Sequence, residues 1–376
     1  MIYFDNAATT RPSEKALKKA EIYNSDGFFN PSALYNGGVE NKKAVRSAKA
    51  DLLSHISAED HDLIFTSCGT ESDNQAIFKN HSRGAVLTTD SEHAAVYNSV
   101  KELVKGGRKI FFAPVNADGS VKVSDLYETV KDNPEIDFVS IVHVCNETGA
   151  INDINVISEN LKKINKKIIF HSDGVQAYGK IPYKIGDGVD LYSVSAHKIN
   201  GLKGVGALIK RKSAPVDPLI IGGGQEDGFR SGTENVFGIK TFEFAASERY
   251  EKLNENFARA SEIKKIILSG LDRRLFTVIS GENCSPYIVS VSANGLKGEV
   301  IMHVLEEKGI IVGNGSACSS KNKFSRVIKA CGYGENILGG VIRISSSPEN
   351  TVDDAKYLVS VLNETAGRLK EVTYNV

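Results

Sequence analysis

The chain has 376 residues, 41 % hydrophobic and 24 % charged, with 46 basic and 46 acidic side chains. That length buries one large core and a smaller one, and zero net charge argues against a dedicated nucleic-acid or anionic-membrane binder. No apolar run reaches the length of a membrane span, Met1-Ile2-Tyr3-Phe4-Asp5 lacks the regions of a signal peptide, and five cysteines without tight regular spacing make no disulfide framework; a reducing cytoplasm is the natural compartment.

Short apolar runs at residues 62–65, 85–88, 109–113, 138–144, 167–170, 191–194 and 206–209 alternate with helical patterns. They are rich in Val, Ile and Phe and mostly continuous, which predicts strands covered on both faces of a mainly parallel sheet. The basic stretch at 162–167 reads as a solvated helix end. A long helical pattern from Val236 into the 260s is expected to link a large domain to a smaller one. The last third mixes strands at 287–291 and 340–345 with a helix at 299–308 ended by Gly309. Thr351 and Asp354 have the spacing of a capping box for the final helix.

Polar clusters follow the predicted strands. Phe65 is followed by Thr66-Ser67-Cys68-Gly69-Thr70-Glu71, a turn opening a helix whose free N–H groups suit an anion. Thr88 leads to Asp90-Ser91-Glu92-His93, Val144 to Cys145-Asn146-Glu147-Thr148-Gly149, and Phe170 to His171-Ser172-Asp173-Gly174-Val175-Gln176. The run at 190–198 ends in Ser195-Ala196-His197-Lys198. In open α/β sheets ligands bind at the carboxyl ends of strands, and a lysine delivered there can form a Schiff base with an aldehyde cofactor. Each cluster alone reads equally as a polar loop or a capped helix. Together they meet the requirements of pyridoxal phosphate (PLP): an aspartate for the pyridinium nitrogen, Asn and Gln for the phenolic oxygen, an imidazole to stack, Thr70, Ser195 and His197 for the phosphate, and Lys198 for the aldehyde. No G-x-G-x-x-G follows a strand and no G-x-x-x-x-G-K-[ST] is present. The eight histidines show no paired metal-ligand spacing and no C-x-x-C occurs, so no metal site is expected.

These residues resemble the cysteine desulfurases, within the class V group of PLP-dependent aminotransferase-fold enzymes. The similarity runs almost end to end: residues 3–10, Asn30-Pro31-Ser32, residues 65–74, Glu92-His93, residues 143–149, 171–179 and 195–206, Gly222-Gly223-Gly224, Arg230-Ser231-Gly232-Thr233 and Gly315-Ser316-Ala317-Cys318. The resemblance implies an α/β, aspartate-aminotransferase-like fold (fold type I). Its large domain, residues 14–250, would hold a mainly parallel seven-stranded sheet. A smaller α+β domain, residues 1–13 and 251–376, would carry the catalytic-cysteine loop. Lys198 would hold the cofactor, Asp173 pair with its pyridine nitrogen, Gln176 bond its phenolic oxygen and His93 stack on its ring and shuttle protons. Gly69, Thr70, Ser195 and His197 would hold the phosphate, and Thr233 would reach the phosphate of a partner subunit, implying a homodimer with shared sites. Asn146 and Arg343 would receive the substrate carboxylate, and Cys318 would take the sulfur of L-cysteine as a persulfide, leaving L-alanine.

Sulfur would then pass to a protein acceptor, either an iron–sulfur scaffold, a tRNA-thiolation protein or a small sulfur carrier. Cys68 stands where the resemblance leads one to expect glycine, Cys145 where it leads one to expect asparagine, and Ser346-Ser347-Pro348-Glu349 departs from the Leu-Gly-Arg-Phe of one branch. Cys331 reads as core and Cys284 as an incidental loop residue. The competing readings are a class V transaminase, a selenocysteine lyase or a catalytically silent scaffold; the last is disfavoured by the presence of Lys198, Asp173 and Cys318 together.

Overall fold

A computed structural model describes residues 1–314 and 324–374. In chain order its strands are β1 (Ile2–Phe4), β2 (His61–Thr66), β3 (Ala85–Thr89), β4 (Ile110–Ala113), β5 (Ile136–Ser140), β6 (Ile169–Asp173), β7 (Leu191–Ser195) and β8 (Gly206–Arg211). They are followed by β9 (Phe276–Val278), β10 (Ile288–Ala293), β11 (Ile310–Val312) and β12 (Val341–Ser345).

β2 to β8 form one sheet in the order β2-β8-β7-β6-β5-β3-β4. β8 runs antiparallel to both neighbours and every other pair is parallel. This is the fold type I α/β sheet, and all seven apolar runs lie in it. The continuous runs follow from burial on two sides. Leu63, Phe65, Leu87, Val139, Phe170, Tyr192 and Ile209 enter one core, with helices Asn36–Ser54 and Val236–Glu251. Their neighbours Ile64, Val86, Phe138, Ile169, Leu191 and Leu208 pack on the opposite face under helices Gly69–Lys79 and Ala94–Leu103. Because successive side chains alternate in direction, an alternating pattern is lost only when both faces are covered. One run is shorter than expected: β5 ends at Ser140, not 144. Backbone bonds to β6 continue from Ile141 and His143, but Val142 is taken by side chains: the Glu92 carboxylate accepts its N–H at 2.8 Å and Asn152 Nδ2 donates to its carbonyl at 2.7 Å.

A second core joins Phe4, Ile263, Ile267, Val289, Val291, Ile301, Leu305, Ile344, Leu358 and Leu362. It covers the sheet β12-β10-β9 and the parallel pair β1-β11. The long helical pattern after Val236 is two helices, Val236–Glu251 in the first core and Leu253–Gly270 in the second, broken at Lys252 with φ −116° and ψ 21°. The final helix, Val352–Tyr374, starts with both bonds of the capping box: Thr351 N–H to Asp354 Oδ2 at 2.8 Å and Asp354 N–H to Thr351 Oγ1 at 3.1 Å.

Candidate active site

Strands β3, β5, β6 and β7 run parallel, so the turns that follow them share one edge of the sheet. After β7 the chain makes a short turn, Ala196–Lys198, before returning as antiparallel β8. That reversal holds Lys198 at the strand ends. Lys198 Nζ donates to the carbonyls of Ala7 and Ala8 at 2.6 and 2.7 Å. Gln176 Nε2 donates to the same Ala7 oxygen at 2.9 Å, and its Oε1 accepts from Lys180 Nζ at 2.6 Å.

Asp173 closes β6 and is buried; its Oδ1 accepts the Val175 N–H at 2.9 Å. Burial first, then the nearby Asp73 charge, push its carboxyl up to about 6, with His93 opposing. His93 caps helix Ala94–Leu103, its Nδ1 accepting the Ala95 N–H at 3.2 Å. Burial lowers its pKa, against the pull of Asp173. Donor atoms of Asp73, His93 and Asp173 lie within 4.8 Å of one another, a three-ligand grouping that could hold a metal ion. It was invisible in the sequence because its members come from three separate segments. Beneath it His171 bonds Ser140 Oγ at 2.8 Å and Ser193 Oγ at 3.0 Å, and burial holds its imidazole down at about 4.

The turn after β2 comes against the turn after β6. A Cβ on Gly69 would lie 2.8 Å from Val175 Cγ2 and 3.5 Å from Ser195 Cβ, so only glycine lets this helix start approach so closely. Ser195 Oγ is buried without a hydrogen-bond partner. His197 Nδ1 meets Thr9 Oγ1 at 3.1 Å, and burial, then Lys198, bring its pKa down to about 4. Thr70 is exposed on the first turn of Gly69–Lys79. Thr233 is exposed too and stands in another groove, of about 190 Å³, with Ser67 and Arg230.

Arg343, on β12, comes from the second core. Its Nη2 pairs with Asp5 Oδ1 at 2.8 Å, its Nη1 donates to the Asn146 carbonyl at 3.0 Å, and its buried Nε has no partner. Asn146 Oδ1 is likewise buried and unpartnered. Gly313 makes room: a Cβ there would sit 2.6 Å from Asp5 Oδ1 and 3.1 Å from Arg343 Nε. Cys318 lies outside the described residues. The residues flanking its segment do not. Gly313 exchanges backbone bonds of 2.9 Å with Arg343. Ser325 Oγ donates to Glu147 Oε2 at 2.5 Å, and Arg326 donates to the Asp90 and Glu92 carbonyls while stacking 3.7 Å from the Tyr97 ring centroid.

The geometry thus gathers Lys198, Gln176, Asp173, His93, Ser195, His197, Asn146, Arg343 and Gly69 at one edge. Sequence reasoning missed Asp5, Asp73, Lys180 and Arg326. Cys145 and Cys284 pack together with Val142, Ala150 and Val327, so Cys284 is core and not incidental. Burial pushes the thiols of Cys284 and Cys331 to about 12 and that of Cys145 upward, which leaves them unreactive. Cys68 is half-buried at the cap of Gly69–Lys79.

The sequence pattern of the class V aminotransferases matches residues 2–358. A cysteine desulfurase IscS from Clostridium botulinum is 34 % identical over 99 % of this chain and 96 % of its own length. A cysteine desulfurase IscS from Methanosarcina thermophila is 33 % identical over 99 % and 93 %. Among solved structures, a NifS-like protein superimposes with a TM-score of 0.90 at 32 % identity, covering 97 % of this chain and 99 % of the other. The chain belongs to the class V aminotransferase family and, within it, to the cysteine desulfurases.

Proposed function

We propose that this protein is a PLP-dependent cysteine desulfurase that converts L-cysteine to L-alanine and passes the sulfur through Cys318 to an acceptor protein. The convergence of Lys198, Gln176, Asp173 and His93 at one sheet edge carries the reading. The residues fit the cofactor. Ser195 Oγ and Asn146 Oδ1 are buried and unpartnered, a helix start bears on Ser195 at Gly69, and Asp173 is a buried carboxylate with no salt bridge among the described residues. When bound, PLP supplies an aldehyde for the substrate amine and a ring that stores the electron pair left at Cα.

The chain's own groups do the rest. Lys198 would hold the cofactor, Asp173 its ring nitrogen, Gln176 and Asn146 its phenolic side, and Gly69, Thr70, Ser195 and His197 its phosphate. Arg343 would exchange Asp5 for the substrate carboxylate, fixing Cα near Lys198 Nζ. Lys198 as the free amine, or His93 with its lowered pKa, would take the Cα proton. The Cys318 thiolate would attack the substrate sulfur: an S–S bond forms, the Cβ–S bond breaks with its electron pair going to Cβ, and one proton on Cβ and the return of one to Cα complete alanine.

The second core supports a small domain of residues 1–13 and 251–376 beside a large one of 14–250. Phe28, Leu34 and Ile221 are 72, 96 and 82 % exposed, and the segments around Pro31 and Gly224 line one groove. These exposed apolar side chains support a homodimer that would bring Thr233 to the partner's phosphate site. No helix among the described residues is long and apolar enough to cross a membrane. The four described cysteines are unpaired, which suits a reducing cytoplasm. An iron–sulfur scaffold or a sulfur carrier is the acceptor class this chemistry serves.

The test is PLP-loaded protein given L-cysteine and a thiol reductant. Alanine and sulfide in equal amounts are expected. Bound cofactor with neither product would move the reading to a class V transaminase.

A further inference from the structure

Lys180 lies one turn after Gln176 and is buried at 3 % exposure. Among the described residues its Nζ has a single side-chain bond, to Gln176 Oε1 at 2.6 Å. The charges that act on it are Lys198 on the β7–β8 turn, Arg249 on helix Val236–Glu251 and Arg343 on β12, all cations. Burial, and then these neighbours, hold its pKa well below the usual lysine range. A lysine without a carboxylate at such a place is unfavourable for folding, and an apolar side chain of the same length would avoid that burden.

Its chemistry explains the placement. An amide has one accepting end and one donating end, of similar shape. Lys180 Nζ donates to Oε1, so the amide oxygen faces Lys180. The Gln176 NH2 must then face the other way, toward the Ala7 carbonyl that also receives Lys198 Nζ. Turned over, the amide would lose the bond from Lys180 to its oxygen and set oxygen against oxygen at Ala7.

We infer that Lys180 is a positioning residue: by holding Gln176 Oε1 it fixes the donor end of that amide toward the Ala7 carbonyl that also receives Lys198 Nζ, on the side of the site where Lys198 would carry the cofactor, through the series Lys180–Gln176–Ala7–Lys198. This rests on the reading of Lys198 as the cofactor-bearing lysine. Among the described residues His93 and His197 have pKa values that Lys198 depresses; Lys180 also lowers that of His197, so the His197 titration is followed alongside.

The experiment is a pH titration of the visible absorbance band in PLP-loaded wild type, Lys180→Met, Lys180→Gln and Gln176→Ala/Lys180→Met, beside Gln176→Ala alone. Loss of the fixed Gln176 donor removes a hydrogen bond that would stabilise negative charge on the phenolic side, which favours the protonated nitrogen, so Lys180→Met is expected to raise the midpoint by about one unit. Lys180→Gln, which keeps a neutral donor, is expected to fall between Lys180→Met and wild type. The double variant is expected to shift less than the sum of the two single ones, because both act on one bond. A midpoint unchanged in Lys180→Met and Lys180→Gln would overturn the inference, even if their melting temperatures changed. If Lys180→Met does not fold, Lys180→Gln decides by the same readout. A wild-type protein with no visible band would overturn the cofactor reading itself, and with it this inference; the missing band separates the two failures.

Discussion

Lys198 and Gln176 donate to one oxygen, the carbonyl of Ala7, from opposite sides of the strand ends. The N-terminal segment is therefore part of the site. Its Ala7 N–H is held by Ser345 Oγ at 2.8 Å, and Thr10 N–H and Oγ1 both donate to the His197 carbonyl at 2.9 Å. The segment ties β12 of the second core to the lysine turn of the first. Lys198→Ala should lose the visible absorbance band of the PLP-loaded protein and lower alanine formation by about 10³-fold or more. Because the Ser345 and His197 bonds remain, the fold is expected to survive in a denaturation curve. A variant with the wild-type spectrum would sink the assignment of Lys198.

Arg343 is engaged before substrate arrives, since Asp5 occupies Nη2 and the Asn146 carbonyl occupies Nη1. A planar guanidinium can trade one carboxylate for another and keep a two-point contact; an ammonium cannot. Arg343→Lys is expected to raise the KM for L-cysteine about tenfold or more with a smaller loss in kcat. Gly313→Ala tests the same pair from the other side. The added methyl would press on the Asp5 carboxylate, and destabilisation of about 1–3 kcal/mol is expected in urea unfolding. An unshifted KM in Arg343→Lys would remove Arg343 from substrate binding.

Glu92 gives a pH signature. Burial, far more than any other influence, raises its carboxyl to about 8, against the Val142 N–H and Thr89 hydroxyl that it accepts. In an unfolded chain a glutamate loses its proton near pH 4.3, as for any exposed carboxyl, about four units lower. Between those values the folded protein keeps a proton that the unfolded chain has released, so stability falls as pH rises. The slope from this one group approaches about 1.4 kcal/mol per pH unit. Glu92→Gln retains an oxygen for Val142 and has no charge to bury. In urea curves taken from pH 5 to pH 8, the variant should gain steadily on the wild type as pH rises. Parallel stability profiles would show that Glu92 is ionised in the folded state.

What the sequence made legible follows from short-range physics. Two-sided burial wrote the seven strands as continuous apolar runs, and the turn after each strand displayed its polar residues in order, so Lys198, Asp173, Gln176 and His93 could be read directly. Pairings across long separations left no such trace. Asp5 and Arg343 are 338 residues apart, and nothing periodic joins them. Asp73 sits on a helix whose sequence looks half-solvated, yet it is 1 % exposed beneath Asp173. Lys180 reads as an ordinary loop lysine until its single partner is known to be Gln176. The break at Lys252 was hidden because no Gly or Pro marks it, and only the attachment of the two helices to different cores separates them.

The flanks of residues 315–323 give the last prediction. On one side Gly313 is paired with Arg343; on the other, Ser325 is bonded to Glu147, and Arg326 to the turn that carries His93. Both flanks are thus fastened to the same group of side chains, one at Arg343 and one at the turn that carries His93. Of the described thiols, those of Cys145, Cys284 and Cys331 are buried and pushed up in pKa, which leaves half-buried Cys68 as the competing carrier. Cys318→Ser should keep PLP, keep the change in absorbance on adding L-cysteine, and release neither alanine nor sulfide above about a hundredth of the wild-type rate. Mass spectrometry of the wild type after cysteine and before reductant should find one added sulfur on the peptide containing Cys318. Added sulfur on Cys68 instead, or wild-type sulfide output from Cys318→Ser, would transfer the nucleophile's role away from Cys318.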